Sequence, residues 1–200
     1  FYQPKLVLID TDVLCTLSDA VFFDGLAEVI KYGFIADREL FELLNSCKNR
    51  GDVYKNIESI VYTCCDIKRR IVEQDEHDTG IRMILNFGHT LGHVAEKEYN
   101  YQTYTHGQAV AFGMHLITRI GEKIGLTPSG VSDSVTSMLK KFNLPCMISL
   151  SDKIGETISH DKKSSGADIN IVLLSGIGKA FTHKMPVAEF VSLAEAELVK

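Results

Sequence analysis

The chain has 200 residues, a formal net charge of −5 and 45% hydrophobic residues. This hydrophobic content allows a substantial buried core and excludes a disordered chain, and the scattered lysine and arginine residues disfavour a nucleic-acid-binding surface. No apolar run reaches the roughly 18 residues of a membrane span, and the sequence contains no signal-peptide pattern. The five cysteines form no C-x-x-C pair, which is typical of reduced thiols, so we expect a cytoplasmic protein.

Helical patterns account for most of the chain. The opening "KLVLID" (5–10) predicts a short buried strand or an extended lead-in. Because the chain begins with Phe1 and enters this pattern at once, we expect further sequence to precede it. Apolar residues at helical spacing then predict a helix over 22–35, with Asp24 as its N-cap. The same spacing predicts further helices over 37–48, 53–74, 82–98, 105–125, 129–143 and 151–163.

The pattern changes towards the end of the chain. The stretch "DINIVLLSGIGKAFTHKM" (168–185) predicts two strands around a glycine-containing turn, which is a β-hairpin. A closing helix is predicted from 187 onwards, and no repeat or low-complexity segment divides the chain. We therefore expect a single domain over residues 1–200 that is mostly α, a multi-helix fold with a small β-hairpin.

Three histidines and one glutamate are the first candidates for chemistry. In "NFGHTLGHVAEKE" (86–98), His89 and His93 stand at i and i+4 and project from one helix face. His106 begins the next predicted helix, and a short connection would return it to that face. Glu28 interrupts an apolar helix face, where a carboxylate needs a cation or a hydrogen-bond network. Such a set can hold Zn²⁺ with an open position, but spacing alone does not say which three bind, and the H-E-x-x-H pattern of zinc proteases is absent.

Cations and an amide form a second group around these histidines. Lys31 lies one turn after Glu28, and Arg82 and Asn86 lie one turn apart in the helix predicted to carry His89. Cations at separate positions around one metal suggest an anionic substrate, such as a carboxylate or a phosphate ester. The simpler interpretation, a solvated helix face, applies best to Arg69 and Arg70. The candidate substrate-binding residues are Lys31, Lys68, Arg82, Asn86, Lys162 and Lys163.

Three blocks in this order and spacing resemble the 3-dehydroquinate synthase family: "GLAEVIKYG" (25–33), "DEHDTGIRMILNFGHTLGH" (75–93) and "HGQAVAFGM" (106–114). The sequence "HDKK" followed by "INIVLLSGIGK" resembles the C-terminal end of the family. The resemblance covers essentially the whole chain and is to the C-terminal, metal- and substrate-binding domain. It implies the helical half of a two-domain fold whose N-terminal, Rossmann-like domain carries NAD and is absent from this chain.

The resemblance also implies roles for individual residues. Glu28, His89 and His106 match the ligands of Zn²⁺, with Co²⁺ as the other candidate metal. His93 matches a histidine of acid–base chemistry, and Asp78 stands where the family has a glutamate with a proton-acceptor role. Lys31, Lys68, Arg82, Asn86 and one of Lys162 and Lys163 match substrate-binding positions, whereas Thr16 and Leu17 match positions that contact NAD.

The family converts 3-deoxy-arabino-heptulosonate 7-phosphate to 3-dehydroquinate and phosphate, in the shikimate pathway of aromatic amino acid biosynthesis. The resemblance therefore implies an NAD- and zinc-dependent lyase, cytoplasmic and homodimeric. No Gly-rich phosphate loop occurs in the chain, since "SGIGKA" (175–180) follows a strand but opens no helix. We expect the isolated chain to be inactive without its NAD-binding domain.

Four positions depart from the family pattern. Ala20 and Val21 replace an Arg-Glu pair near the NAD-contacting stretch, Asp78 replaces a glutamate, and Gln108 replaces the glutamate of "HGEAV". Two alternatives of other kinds therefore stay open: a non-catalytic metal-binding module, and a helical bundle whose histidines belong to the core. Within the enzyme class, the alternative is another sugar-phosphate cyclase that forms 2-deoxy-scyllo-inosose or valiolone.

Overall fold

The computed structural model describes residues 5–78, 80–150, 158 and 168–198. In chain order its elements are a 3-10 helix (Thr11–Thr16), α1 (Asp19–Ile35), α2 (Arg38–Ser46), α3 (Arg50–Tyr54), α4 (Ile57–Gln74), a second 3-10 helix (Ile81–Asn86), α5 (His89–Glu98), α6 (His106–Lys123), α7 (Val131–Lys141), β1 (Asp168–Gly176), β2 (Lys179–Pro186) and α8 (Val187–Leu198). The mostly α fold with a small hairpin is confirmed. The helix predicted over 151–163 lies outside the described residues, apart from residue 158.

Helix α6 forms the centre of the fold. Nearly all of its residues between 109 and 121 are buried, and it contacts α1, α5, α7, α8 and β1. A helix that is apolar all round requires such a central place. Its contact with α5 is very close, because a Cβ on Gly113 would overlap the carbonyl oxygen of Gly88, and a Cβ on Gly92 would lie 3.0 Å from the Ala109 oxygen. The two helices therefore run antiparallel, with the end of α5 beside the start of α6.

The N-cap predicted at Asp24 is wrong. Helix α1 begins five residues earlier, and its N-cap is Ser18, whose hydroxyl accepts from the Val21 N–H at 3.4 Å. The Asp24 carboxylate instead reaches the start of α6, where it accepts hydrogen bonds from the Thr105 hydroxyl and from the Gln108 N–H. A carboxylate at this helix N-terminus satisfies a backbone donor that has no partner within the helix.

Two predicted helices are each divided in the structure. The pattern over 53–74 becomes α3 and α4. At the end of α3 the Asn56 side-chain amide donates to the Asp52 carbonyl at 3.0 Å, and so takes the place of the backbone N–H that would continue the helix. The pattern over 82–98 becomes a 3-10 helix and α5, with Gly88 between them at φ 80°. Only glycine adopts this left-handed conformation at little cost. Arg82 and Asn86 consequently lie outside the helix that carries His89, contrary to prediction.

The opening "KLVLID" is neither a strand nor buried. Leu6 is 82% exposed and Leu8 is 90% exposed. An extended segment is stabilised as a strand only when its backbone groups pair with a neighbour, and among the described residues no strand pairs with this one. The segment is therefore an extended lead-in to the first 3-10 helix, which is the second of the two predicted forms.

The hairpin packs on the core and on α1. Strands β1 and β2 pair antiparallel, with Ile169 opposite Met185 and Leu173 opposite Phe181. The turn between the strands is held by a hydrogen bond from the Gly178 N–H to the Phe34 carbonyl of α1, at 2.9 Å. The hairpin thus packs against α1 and α6, which carry Glu28 and His106. No helix among the described residues has the length and apolar character needed to cross a membrane.

Candidate metal centre and substrate pocket

Three helices bring Glu28, His89 and His106 together. Glu28 lies in the middle of α1, and His89 and His106 are the first residues of α5 and α6. One ligand atom from each lies within 4.8 Å of the other two. Glu28 Oε1 is 3.5 Å from the His89 Nε2 atom and 3.7 Å from the His106 Nε2 atom. The described residues therefore contain a group with the donor types and spacing of a metal centre.

In both histidine rings the Nδ1 atom, on the side away from Glu28, contacts an acceptor that orients the ring. The His89 Nδ1 atom lies 3.1 Å from the Phe87 carbonyl oxygen, and the His106 Nδ1 atom lies 3.0 Å from the Glu96 Oε1 atom. Both partners are acceptors, so each Nδ1 carries the hydrogen in the neutral ring. Each Nε2 then presents its lone pair towards Glu28. This is the tautomer that a metal bound at Nε2 needs.

The two oxygens of the Glu28 carboxylate have different surroundings. Its Oε2 accepts from the Lys31 ammonium at 2.7 Å, whereas its Oε1 is buried and has no hydrogen-bond partner in the described part of the chain. A buried acceptor without a partner is costly and calls for a missing cation or donor. Since Oε1 is also the atom that faces both Nε2 atoms, the residues present fit Zn²⁺ or Co²⁺, which take histidine nitrogen and carboxylate oxygen.

The electrostatics favour the protonation states of metal ligands. Burial, with a contribution from the Lys31 ammonium, lowers the pKa of His89 to about 4, although Glu28 opposes the change. Burial opposes ionisation of Glu28, but Lys31 and the two histidines together hold the pKa of that carboxyl below its usual value. Burial lowers the pKa of Lys31 as well, despite its ion pair. Near neutral pH the site therefore has a neutral His89 and an ionised Glu28, as metal binding requires.

A cavity of about 310 Å³ opens beside this group. Its walls include His89, and also Asn86 and His93 from the predicted set. The His93 side chain is 51% exposed and its ring stands edge-on to that of His89, with centroids 5.6 Å apart. The volume lies at the small end of the range for ligand sites. The cavity thus joins the metal group to two residues predicted to act on substrate.

Four other predicted residues, Lys31, Lys68, Arg82 and Asp78, do not line the cavity. Lys31 belongs to the metal group through Glu28, and Lys68 lies near enough to Lys31 to affect its pKa. The Arg82 guanidinium does not line the cavity and donates to the Glu76 carbonyl at 2.8 Å. Asp78 is exposed in the preceding loop at φ 56°.

Of the four remaining predicted residues, two lie at the end of the first 3-10 helix and two lie outside the described residues. Thr16 ends the first 3-10 helix, where its hydroxyl donates to the Val13 carbonyl at 2.7 Å. Leu17 follows as the C-cap of that helix. Lys162 and Lys163 lie outside the described residues.

Sequence reasoning did not identify several residues of the cavity. The hairpin contributes Asn170 and Thr182, and the segment around α5 adds Met83 and Thr90. Asn170 is an exposed polar residue between the buried residues 169 and 171, and this alternation in β1 was the available signal. Glu96 was also missed, although it stands one turn after His93, because its burial depends on α6.

The departure at Gln108 has a structural role at the start of α6. The Gln108 side-chain oxygen accepts from the Thr105 N–H at 3.1 Å, which forms a capping box with the Thr105 side chain. A capping box accepts glutamine or glutamate at this position. The missing charge therefore leaves the cap of α6 intact, and with it the place of His106.

Known proteins match this chain in sequence and in structure. A family model described as 3-dehydroquinate synthase C-terminal matches residues 25–164. The 3-dehydroquinate synthase of Clostridium botulinum (strain Alaska E43 / Type E3) is 53% identical over 192 residues, covering 95% of this chain and 55% of that protein. The chain spans about half the length of the curated relatives it matches.

Two solved structures share the fold. A 2-deoxy-scyllo-inosose synthase complexed with carbaglucose-6-phosphate, NAD⁺ and Co²⁺ matches with a TM-score of 0.80 and 22% identity, over 98% of this chain and 57% of that one. A 2-epi-5-epi-valiolone synthase from Streptomyces hygroscopicus subsp. jinggangensis 5008, with NAD⁺ and Zn²⁺ bound, matches with a TM-score of 0.75 and 21% identity, over 95% and 54%. At this identity the likeness concerns the fold alone. The sequence matches establish more: the chain belongs to the 3-dehydroquinate synthase family and corresponds to the C-terminal part of its members.

Proposed function

We propose that residues 1–200 are a single domain, the metal- and substrate-binding half of a 3-dehydroquinate synthase. The proposed reaction of the whole enzyme converts 3-deoxy-arabino-heptulosonate 7-phosphate to 3-dehydroquinate, with loss of phosphate. The observation that carries the proposal is the buried Glu28 Oε1 atom, which faces the Nε2 atoms of His89 and His106 and has no hydrogen-bond partner among the described residues. A core or structural role for these histidines would leave that oxygen unsatisfied.

Glu28, His89 and His106 would hold Zn²⁺ or Co²⁺ at this point. When bound, such a metal supplies Lewis-acid polarisation of a substrate oxygen. Lys31 keeps Glu28 ionised from the opposite side of the carboxylate. Two of the structural relatives support the choice of metal, since one has Zn²⁺ and the other Co²⁺ bound.

The cavity residues bind and orient the substrate in this proposal. The Asn86 amide offers both a donor and an acceptor to substrate hydroxyl or carboxylate groups. His93 presents a half-exposed ring at the cavity wall, from which the imidazole can take a proton from the substrate and return it. Asp78 is the second proposed proton carrier. In addition to these cavity residues, the cations Lys68, Arg82 and one of Lys162 and Lys163 would hold the phosphate and carboxylate of the substrate.

The remaining parts of the proposal concern the whole enzyme. NAD would be carried by an N-terminal domain and would contact Thr16 and Leu17, at the end of the first 3-10 helix. Both structural relatives described above bind NAD⁺. We also propose that the whole enzyme is a homodimer located in the cytoplasm. The free cysteines support the compartment, because disulfides are rare there.

The test of this function uses the chain joined to an NAD-binding domain of the family. Release of inorganic phosphate is measured with heptulosonate phosphate, sedoheptulose 7-phosphate and glucose 6-phosphate as separate substrates. We expect turnover of heptulosonate phosphate and none by the chain alone. Turnover of only sedoheptulose or glucose phosphate would assign the chain to another cyclase.

Metal content separates the enzyme from a purely structural bundle. We expect purified wild-type chain to bind about one Zn²⁺ per chain, as one three-ligand site among the described residues predicts. Glu28→Ala, His89→Ala and His106→Ala should each lose the metal. His183→Gln, on strand β2 and outside the group, is the matched control and should retain it. Equal metal content in all five proteins would contradict the site.

A further inference from the structure

Glu96 is a buried carboxylate that lies between two of the site histidines. It stands on α5 one turn after His93, and only 7% of the residue is exposed. Its Oε1 atom lies 3.0 Å from the His106 Nδ1 atom, and its Oε2 atom lies 3.9 Å from the His93 Nε2 atom. Burial of a carboxylate is costly unless it is hydrogen-bonded. Here the hydrogen-bond partner is a ring of the candidate metal group.

Glu96 contacts the His106 ring at the nitrogen that faces away from the metal position, so it is not placed as a metal ligand. Glu96 meets the Nδ1 atom of His106, whereas the Nε2 atom of the same ring faces Glu28 at 3.7 Å. A carboxylate that accepts from Nδ1–H fixes the tautomer and the rotation of the imidazole, and it raises the basicity of the other nitrogen. Glu96 thus acts on the metal position through His106.

The two histidines of the metal group differ in how their rings are held. The His89 side chain is 15% exposed and its Nδ1 bonds to the backbone carbonyl of Phe87. The His106 side chain is 47% exposed, so packing constrains it less. Its Nδ1 bonds to a side chain, that of Glu96, where the Nδ1 of His89 bonds to backbone.

We propose that Glu96 is a positioning residue that holds His106 with its Nε2 lone pair directed at the metal. The inference rests on the proposed function, because it requires a metal at Glu28, His89 and His106. Loss of an outer partner of this kind typically weakens metal binding by about 10–100-fold. The same carboxylate places a negative charge beside His93, so one residue contacts both the metal group and the proposed proton carrier.

The experiment measures Zn²⁺ affinity of the full chain by competition with a chromophoric chelator, and the visible absorption spectrum of the Co²⁺-loaded chain. Glu96→Leu keeps the buried volume but removes the acceptor, and we expect about 10–100-fold weaker Zn²⁺ binding and an altered Co²⁺ spectrum. Glu96→Gln retains an acceptor without the charge and should give a smaller loss. If Glu96→Leu does not fold, Glu96→Ala replaces it.

Glu197→Gln is the matched control. Glu197 is also a buried carboxylate, 3% exposed, and it pairs with Arg119 and Lys123. Arg119 stands thirteen residues after His106 on α6, which is about 20 Å along the helix. This variant should lose stability but keep wild-type Zn²⁺ affinity and an unchanged Co²⁺ spectrum.

The outcomes distinguish the inference from the function on which it rests. If the wild-type chain binds no Zn²⁺, the proposed function is wrong, and the role of Glu96 is wrong with it. If the wild type binds Zn²⁺ and Glu28→Gln abolishes binding, but the Glu96 variants match the wild type in affinity and spectrum, the role of Glu96 alone is overturned. Graded loss in the order wild type, Gln, Leu supports the inference.

Discussion

The close contact between α5 and α6 makes a quantitative prediction at Gly113. A Cβ at this position would overlap the Gly88 carbonyl oxygen and would also meet the Gly92 nitrogen at 2.9 Å. Both obstacles are backbone atoms, so no side chain can move aside. The substitution Gly113→Ala must therefore separate the two helices, and with them His89 and Glu96 from His106.

The expected magnitude follows from two opposing terms. Overpacking costs about 1–3 kcal/mol, and we take about 3 kcal/mol because backbone must move. Alanine favours a helix interior over glycine by about 1 kcal/mol. The net loss in the free energy of unfolding is about 2 kcal/mol, which corresponds to a fall in Tm of about 4–8 °C for a chain of this size.

The control is Gly25→Ala on α1, where a Cβ would meet nothing within 4 Å. Only the helix preference of about 1 kcal/mol acts there, so Tm should rise by about 2–4 °C. Thermal denaturation of the metal-free chain followed by circular dichroism measures both variants. If Gly113→Ala raised Tm as Gly25→Ala is expected to do, the close packing of α5 on α6 would be refuted.

Three other predictions concern a cap, a buried histidine and the metal. Asp24→Ala removes the carboxylate that caps α6, and urea denaturation should show a loss of about 1 kcal/mol. Burial, with Arg119 and Lys140, lowers the pKa of His115 below its usual 6.5. Below about pH 6.5 the unfolded chain therefore binds more protons than the folded one, and the free energy of unfolding should fall as the pH drops. In urea denaturation at pH 7.5 and 5.5, His115→Gln should show a smaller decline than the wild type, and an equal decline would contradict this role of His115. Zn²⁺ at about 100 times its Kd should raise the free energy of unfolding by about 2.7 kcal/mol. The increase should be absent in His89→Ala, and adding a chelator should reverse it in the wild type.

The helices and the hairpin were predictable because they depend on local patterns. Apolar spacing identified the core faces, and the glycine-containing turn identified the hairpin. The break at Gly88 was not predicted, since the helical spacing of residues 82–98 continues through it and a single glycine is compatible with a helix. Gly88 also lies so close to Val110 and Met114 of α6 that a Cβ would not fit, and these residues are distant in sequence.

The candidate site was predictable in composition but not in detail. The blocks around Glu28, His89 and His106 indicated a metal group through resemblance, and the structure brings the three together. The roles of Asp24 and Glu96 depend on tertiary contacts, 81 residues away for Asp24 and 10 for Glu96. A carboxylate in a helical pattern carries no local sign of whether it serves its own helix or another.

The bond between the hairpin turn and α1 has a consequence for ligand binding. The Gly178 N–H to Phe34 carbonyl bond ties the hairpin to the helix that carries Glu28, and Asn170 and Thr182 of the same hairpin form part of the cavity wall. These surfaces are therefore set relative to each other before any ligand arrives. The entropy of arranging them is lost during folding, so an entering molecule retains more of its contact energy as affinity.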